Sequence, residues 1–136
     1  MGQYHLVCNL DKKEFLSPDK LGVGSKAWEQ MASYGGTTAA LFALLICSRE
    51  RGGGDLGHDD AVGRWAGNRV AIVGDYAEDE DLAIEHKASE IYHLCIGGQG
   101  GWVDISKLIL PVLLRELGGK VTRKRGFTEI EYNLGG

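Results

Sequence analysis

Apolar and polar residues alternate at the start of the chain, in a pattern that predicts a β-hairpin. In residues 3–10 the alternation includes Leu6 and Cys8, and a second short apolar run follows at residues 14–16. Successive side chains of a strand point to opposite faces, so a two-residue period is typical of a strand. The polar residues 11–13 lie between the two runs and supply the turn.

Two helices are predicted next. Residues 25–34 place apolar side chains such as Met31 at helical spacing, and Ser25 is a candidate N-cap. Two glycines interrupt this pattern, and Thr37 can cap a second helix over residues 37–47, which is apolar on nearly all sides. Helices of that kind are usually buried, so we expect it at the centre of the core.

The second half of the chain predicts two strands, a helix and a final hairpin. β-Branched and apolar residues favour strands at 68–76 and 90–96. Apolar spacing predicts a helix over residues 104–117 that contains Pro111. Two short runs within residues 118–134 are typical of a hairpin.

The order of these elements predicts the fold class. Strand, helix, helix, strand, strand, helix and strand follow one another, which gives too few βαβ units for a doubly wound parallel sheet. At 136 residues the chain has the size of one ordinary domain. We therefore expect a single α+β domain over residues 1–136, with a largely antiparallel sheet of about four to six strands and about three helices.

Composition and charge narrow the classes of partner. Hydrophobic residues make up 43% and charged residues 25% of the chain, as in folded globular proteins. The net charge of −4 gives no general attraction for nucleic acid or for an anionic membrane. The longest apolar run, residues 37–47, is about half of the length that a membrane-spanning helix needs. We therefore expect neither nucleic acid nor a membrane as a partner.

The cysteines indicate the compartment. Cys8, Cys47 and Cys95 are odd in number, each lies in an apolar segment, and none is in Cys-x-x-Cys spacing. This pattern argues against a disulfide framework and against a zinc knuckle. We expect reduced, buried thiols in a cytoplasmic protein, and the pairing of Cys95 with His93 or His5 as nucleophile and base is not favoured.

A stretch rich in glycine and aspartate carries the candidate metal ligands. Asp55, His58, Asp59 and Asp75 combine carboxylate oxygens with one imidazole, which could hold a divalent cation such as Mg²⁺ or Mn²⁺. Their spacing does not have the register of an EF-hand loop. The alternative is an exposed loop whose glycines turn the chain and whose aspartates are solvated. We expect no cofactor, with a divalent metal as the open alternative.

One hydrolase motif is present only in outline. From Gly101 to Leu117 the chain has the outer spacing of a Nudix box, but Lys107 stands at the position of that box's first glutamate. Gly118 and Gly119 follow where the metal-binding glutamates should begin. Without those carboxylates the metal ions of a Nudix hydrolase have no ligands, so we do not predict this activity.

A glycine turn ahead of the first helix is a candidate anion site. Gly22, Gly24, Ser25 and Lys26 could present backbone N–H groups and the positive end of a helix dipole to a small anion. The turn does not have the spacing of a Walker A loop, and the simpler interpretation is a turn that leads to the Ser25 cap. A nucleotide-like anion is therefore an alternative ligand.

Two oppositely charged runs suggest association with another molecule. The acidic run is Glu78, Asp79, Glu80 and Asp81, and the basic run is Lys120, Arg123, Lys124 and Arg125. Either run alone is typical of a solvated turn. Together they favour a molecule that binds a charged protein partner or associates head to tail with its own copies.

Several blocks of the sequence resemble a family of small bacterial proteins. The chain opens MGQYHLVCNLDKKEFL and later carries WAGNRVAIVGDYA; members of the family start MGQYY, continue through NLDKxEYL and carry WAGDRVxxxGDYA. Phe15 and Asn68 depart from the family's tyrosine and aspartate. The resemblance covers roughly the whole chain and implies an intact, stand-alone domain. The family has no established activity, so the resemblance assigns no catalytic role to Asp75 or Trp65.

These observations favour a non-catalytic α+β protein of the cytoplasm that binds a protein partner or its own copies. The chain has no motif in which a nucleophile, a base and a ligand-binding loop stand at a defined spacing. The alternative functions are a metal-assisted hydrolase and a protein that binds a small, nucleotide-like anionic ligand.

Overall fold

The main elements of the fold are a four-stranded sheet, a separate two-stranded hairpin and four α-helices. The structure is a computed structural model, and it describes residues 4–32, 35–47, 59–82, 87–118, 120–124 and 127–131. Within these ranges the sheets and helices confirm the α+β class and the largely antiparallel sheet.

The main sheet is built on the N-terminal hairpin. Strand β1 (His5–Asn9) is antiparallel both to β2 (Glu14–Leu16) and, on its other side, to β3 (Val70–Gly74). The short strand β4 (Val103–Asp104) adds to β2 in parallel and completes the order β3-β1-β2-β4. The predicted hairpin and the strand predicted at 68–76 are both confirmed.

Four helices and a second hairpin complete the fold. The helices are α1 (Ala27–Ala32), α2 (Gly36–Leu45), α3 (Ala88–Ile96) and α4 (Ser106–Leu117). The second hairpin pairs β5 (Lys120–Lys124) with β6 (Phe127–Glu131), and short 3₁₀ helices lie at Pro18–Leu21 and Asp79–Asp81. No helix among the described residues has the length and apolar character that crossing a bilayer requires.

The alternation along β1 divides the core into two clusters. Val7 packs in one cluster with Leu44 of α2 and Ile109 of α4. Its neighbour Cys8 packs in the other cluster with Cys95 of α3. Adjacent residues of a strand point to opposite faces, so α2 and α4 cover one face of the sheet and α3 covers the other.

One predicted strand is a helix. Residues 90–96 lie in α3, so the prediction of a strand there is wrong. The buried residues of α3 are Ala88, Ile91 and Cys95, whose spacing is that of one helix face. A short apolar run that contains β-branched and aromatic residues is compatible with a strand or with a buried helix, so its pattern alone does not decide between them.

Helix α2 is not the fully buried central helix that its composition predicts. Ala43 and Leu44 are buried against the core, but Phe42 is 72% exposed. The helix covers the sheet with one face and leaves another apolar face outward. Cys47, just beyond the helix, is exposed as well, so the expectation of buried thiols is correct only for the other two cysteines.

The two predicted helix caps are also wrong. Helix α1 begins at Ala27, so Ser25 lies one residue before the cap position. Helix α2 begins at Gly36, so Thr37 already lies inside it. The residue in the cap position is Gly35 with a φ of 87°, a backbone conformation that glycine adopts without a Cβ clash.

Candidate binding groove

The described part of the chain does not gather the predicted metal ligands. Asp59 accepts a backbone N–H two residues further along and forms an ion pair at 3.5 Å with Arg115. Asp75 accepts a backbone N–H at 3.1 Å. Among the residues that the structure describes, no group of three or more histidine, cysteine, aspartate or glutamate side chains is placed to hold a metal ion. Asp55 and His58 lie outside those residues, so the metal site stays a prediction.

The predicted anion turn holds a carboxylate of the chain itself. The backbone N–H of Lys26 donates to the Glu29 carboxylate at 3.1 Å. A Cβ added to Gly24 would overlap the same carboxyl group, and the Ser25 carbonyl accepts the first N–H of β1 at 2.8 Å. Gly22 ends the preceding 3₁₀ helix with a φ of 82°. An external anion would therefore have to displace Glu29, and its binding here stays a prediction.

The acidic run forms an exposed turn. Asp79 accepts hydrogen bonds from the hydroxyl and the backbone N–H of Ser89, at 2.6 and 3.1 Å. These bonds hold the pKa of Asp79 below its ordinary value, because they favour the charged carboxylate. The turn is thereby attached to the start of α3. Glu78, Glu80 and Asp81 are exposed.

The basic run is described only in part. Lys120 begins β5 and is exposed, and Arg123 and Lys124 follow on the same strand. Arg125 lies outside the described residues. Association through the two charged runs therefore stays a prediction.

A partly buried ion pair joins the first hairpin to the segment before β3. Arg64 donates to both oxygens of the Glu14 carboxylate, and the indole N–H of Trp65 donates to one of them at 2.9 Å. Burial alone would raise the pKa of Glu14, but these hydrogen bonds outweigh it and hold the pKa below its ordinary value. The sequence reasoning missed this pair, whose members lie 50 positions apart in the chain. The burial of Glu14 and Trp65 indicates a structural role for the pair.

Two blocks of the sequence, residues 9–12 and 64–69, contact each other beside this ion pair. The Asn9 amide donates to the Asn68 side chain at 3.0 Å, and Arg69 donates to the Asp11 carboxylate at 2.9 Å. Lys12 donates to the carbonyl of Arg64 at 2.7 Å. These contacts give the polar residues of both blocks a structural role.

The thiol of Cys8 is held in its protonated form. Cys8 and Cys95 lie in the same cluster, and hydrogen bonding with Cys95 and burial raise the pKa of the Cys8 thiol. Because the thiolate is the nucleophilic form, a thiol held in its protonated form is a poor nucleophile.

An apolar groove of about 510 Å³ lies between α1, α2 and the face of the sheet formed by β1 and β3. Met31, Leu41 and Phe42 line it from the helices, and Val7 and Ile72 line it from the strands. Val7 and Ile72 are cross-strand partners, so they share a face of the sheet. Helix α2 covers Val7, but it leaves Ile72 64% exposed at the side of the groove.

Some polar side chains of the apolar groove are hydrogen-bonded to the backbone, and others have a buried polar atom without a partner. The side-chain N–H groups of Gln30 donate to the carbonyls of His5 and Ser25 at 2.9 and 2.8 Å. The hydroxyl of Thr38 donates to the carbonyl of Gln30 at 2.8 Å. In contrast, Nδ1 of His5 and Oγ1 of Thr37 are buried and have no hydrogen-bond partner among the described residues. Among the residues that the structure describes, no charged side chain lines the groove.

The sequence contains one feature that is compatible with the groove. Residues 30–47, which include α2, contain no charged residue. A completely uncharged stretch of this length is equally compatible with a buried helix, and the sequence does not tell which face the rest of the fold leaves open.

Comparison with known proteins identifies no relative of the chain: no protein-family model, no curated protein sequence and no solved structure matches it.

Proposed function

We propose that the protein is a non-catalytic binding domain of the cytoplasm that associates with a second copy of itself through the apolar groove. The observation that carries this proposal is the exposure of large apolar side chains around the groove. These side chains, Trp28, Met31, Phe42 and Ile72, are 77%, 67%, 72% and 64% exposed, and we call them the groove rim. Soluble monomers rarely leave a contiguous apolar patch of this kind open, and such patches mark interaction sites.

The rim residues belong to one surface. Met31, Phe42 and Ile72 all line the apolar groove. Trp28 lies three residues before Met31 on α1, and side chains at this spacing are neighbours on a helix surface. The rim therefore continues from α1 across α2 to β3.

The absence of charge favours a second copy over a charged partner. Within the described residues the groove has no charged lining, so a charged protein would gain no ion pair there and would lose hydration. An apolar surface is complementary to itself, as the two-fold symmetric interface of a homodimer requires.

The apolar area of the groove rim is also comparable with the area that a stable dimer interface buries. The aromatic side chains Trp28 and Phe42 can bury about 150 to 250 Å² each, so together with Met31 and Ile72 the rim presents on the order of 500 Å². A stable interface buries about 800 Å² per partner, and the groove walls between the rim residues add to the total.

The proposal is tested by changing one rim residue. Phe42→Glu would place a carboxylate in the centre of the interface, and we expect the dimer dissociation constant to rise by about 30-fold or more, as for an interface hot spot worth about 2 kcal/mol. Sedimentation velocity over a concentration series measures this constant.

The matched control is Ile96→Glu. Ile96 is 62% exposed, but it lies on α3, which covers the opposite face of the sheet. We expect this variant to dimerise like the unmodified protein. A protein that stays monomeric at all concentrations would overturn the proposal, and so would equal effects of the two substitutions.

A further inference from the structure

The size of the apolar groove is that of a small-molecule site. Its volume of about 510 Å³ lies within the range of about 300 to 1,000 Å³ that is usual for ligand pockets. The floor of the groove includes Val7 and Thr37, which are 2% and 4% exposed, whereas the rim residues lie further out. The floor and the rim can therefore serve different purposes.

Two polar atoms of residues that line the groove have no hydrogen-bond partner within the described residues. The hydrogen bonds of Gln30 and Thr38 to backbone carbonyls already use the other polar side chains of the lining. Only Nδ1 of His5 and Oγ1 of Thr37 are buried without a partner in the described ranges. A buried polar atom without a hydrogen bond is unfavourable, so a ligand that supplies a partner gains affinity from it.

The residues that line the groove also favour a ligand without charge. The described residues place no lysine, arginine, aspartate or glutamate along the groove. A carboxylate or an ammonium group would be buried there without a counter-ion, which is costly. A hydroxyl or an amide can hydrogen-bond with an imidazole nitrogen or a threonine hydroxyl and carries no such cost.

We propose that the floor of the apolar groove binds a small, neutral, mainly hydrocarbon molecule with one hydroxyl or amide group, which hydrogen-bonds to the hydroxyl of Thr37. This inference goes beyond the proposed self-association, because the floor can bind such a molecule whether or not the rim is covered by a second copy.

The experiment compares 1-octanol with octanoate as probes by isothermal titration calorimetry at neutral pH. We expect 1-octanol to bind the unmodified protein and octanoate to bind at least ten times more weakly. Thr37→Val removes the hydroxyl with little change of shape, so it should weaken the binding of 1-octanol about five- to tenfold. The free Thr37→Val protein should melt at a higher temperature, because an unpartnered buried hydroxyl is gone.

Thr38→Val is the matched control. Thr38 also lines the groove, but its hydroxyl is bonded to the carbonyl of Gln30. This variant should bind 1-octanol within a factor of two of the unmodified protein. Leu41→Trp, which fills the groove, should abolish binding of 1-octanol and thereby show where the probe lies.

Three results would overturn the inference. They are an absence of 1-octanol binding up to its solubility limit, equal binding of octanoate, and equal affinities of the Thr37 and Thr38 variants. Sedimentation separates this inference from the proposed function. A monomer that binds 1-octanol would refute self-association alone, and a dimer that does not bind it would refute the ligand alone.

Discussion

At the scale of single residues, the buried carboxylate of Glu14 joins the first hairpin to the segment before β3. Its oxygens accept hydrogen bonds from both Arg64 and Trp65, and its side chain is 9% exposed. Glu14→Gln keeps the shape but leaves the Arg64 guanidinium without its carboxylate. Because the Arg64 side chain is 35% exposed, we expect a loss of about 1 to 3 kcal/mol of unfolding free energy at pH 7, measured by urea denaturation. Glu80→Gln, at an exposed position, is the control and should change stability by less than about 0.5 kcal/mol.

The depressed pKa of Glu14 predicts how the difference in unfolding free energy between the unmodified protein and Glu14→Gln depends on pH. Hydrogen bonds from Arg64 and Trp65 lower the pKa in the folded protein, despite the opposing effect of burial. The stabilisation is therefore present above the unfolded-state value of about 4.3 and is lost as the pH falls through the folded-state pKa. Protonated Glu14 then resembles glutamine, so the difference in unfolding free energy between the two proteins should shrink as the pH falls below about 4.3. A difference that stays constant from pH 7 to pH 3 would contradict this explanation.

At the scale of elements, Gly22 determines how the C-terminal hairpin packs. It ends the 3₁₀ helix Pro18–Leu21 with a φ of 82°, and a Cβ there would lie 2.6 Å from the Cβ of Ile130 on β6. Gly67 also has a φ of 82°, but nothing lies within 4 Å of its missing Cβ. Gly67→Ala should therefore lower the unfolding free energy by the backbone strain alone, which is about 1 to 2 kcal/mol.

Gly22→Ala adds a steric clash to the same strain. We expect Gly22→Ala to lower the unfolding free energy by about 2 to 5 kcal/mol in total, because overpacking a close contact adds about 1 to 3 kcal/mol to the strain. Urea denaturation of both variants measures the two costs. Equal losses would show that the contact between the 3₁₀ helix and β6 does not restrain the hairpin.

The elements also show what the sequence could and could not predict. The α+β class, the first hairpin and the strand β3 follow from local periodicity, because each has one dominant pattern over its length. Residues 90–96 fit two patterns, and the spacing of Ile91 and Cys95 decides between them only once the packing is known. The apolar groove could not be predicted, because an uncharged helix such as α2 gives no indication of which face its neighbours leave open. The ion pair of Glu14 with Arg64 depends on tertiary folding in the same way.

At the scale of the whole molecule, two surfaces compete to explain self-association, and salt distinguishes them. The apolar groove has no charged lining in the described residues, whereas the exposed run at 78–81 carries only acidic side chains. Association through opposite charges weakens as ions screen them, because the screening length falls from about 10 Å at 0.1 M salt to about 3 Å at 1 M. Contact between apolar surfaces does not weaken in this way.

We therefore expect the dimer dissociation constant to change by less than about twofold between 0.05 and 0.5 M sodium chloride, because the proposed interface has no ion pairs for the salt to screen. Sedimentation equilibrium at several concentrations measures it. The variant Asp81→Asn removes one charge of the acidic run and should leave the constant unchanged. If salt instead dissociated the dimer by tenfold or more and Asp81→Asn weakened it too, the contact would lie at the charged runs. The exposed groove rim would then not be the surface that joins the two copies.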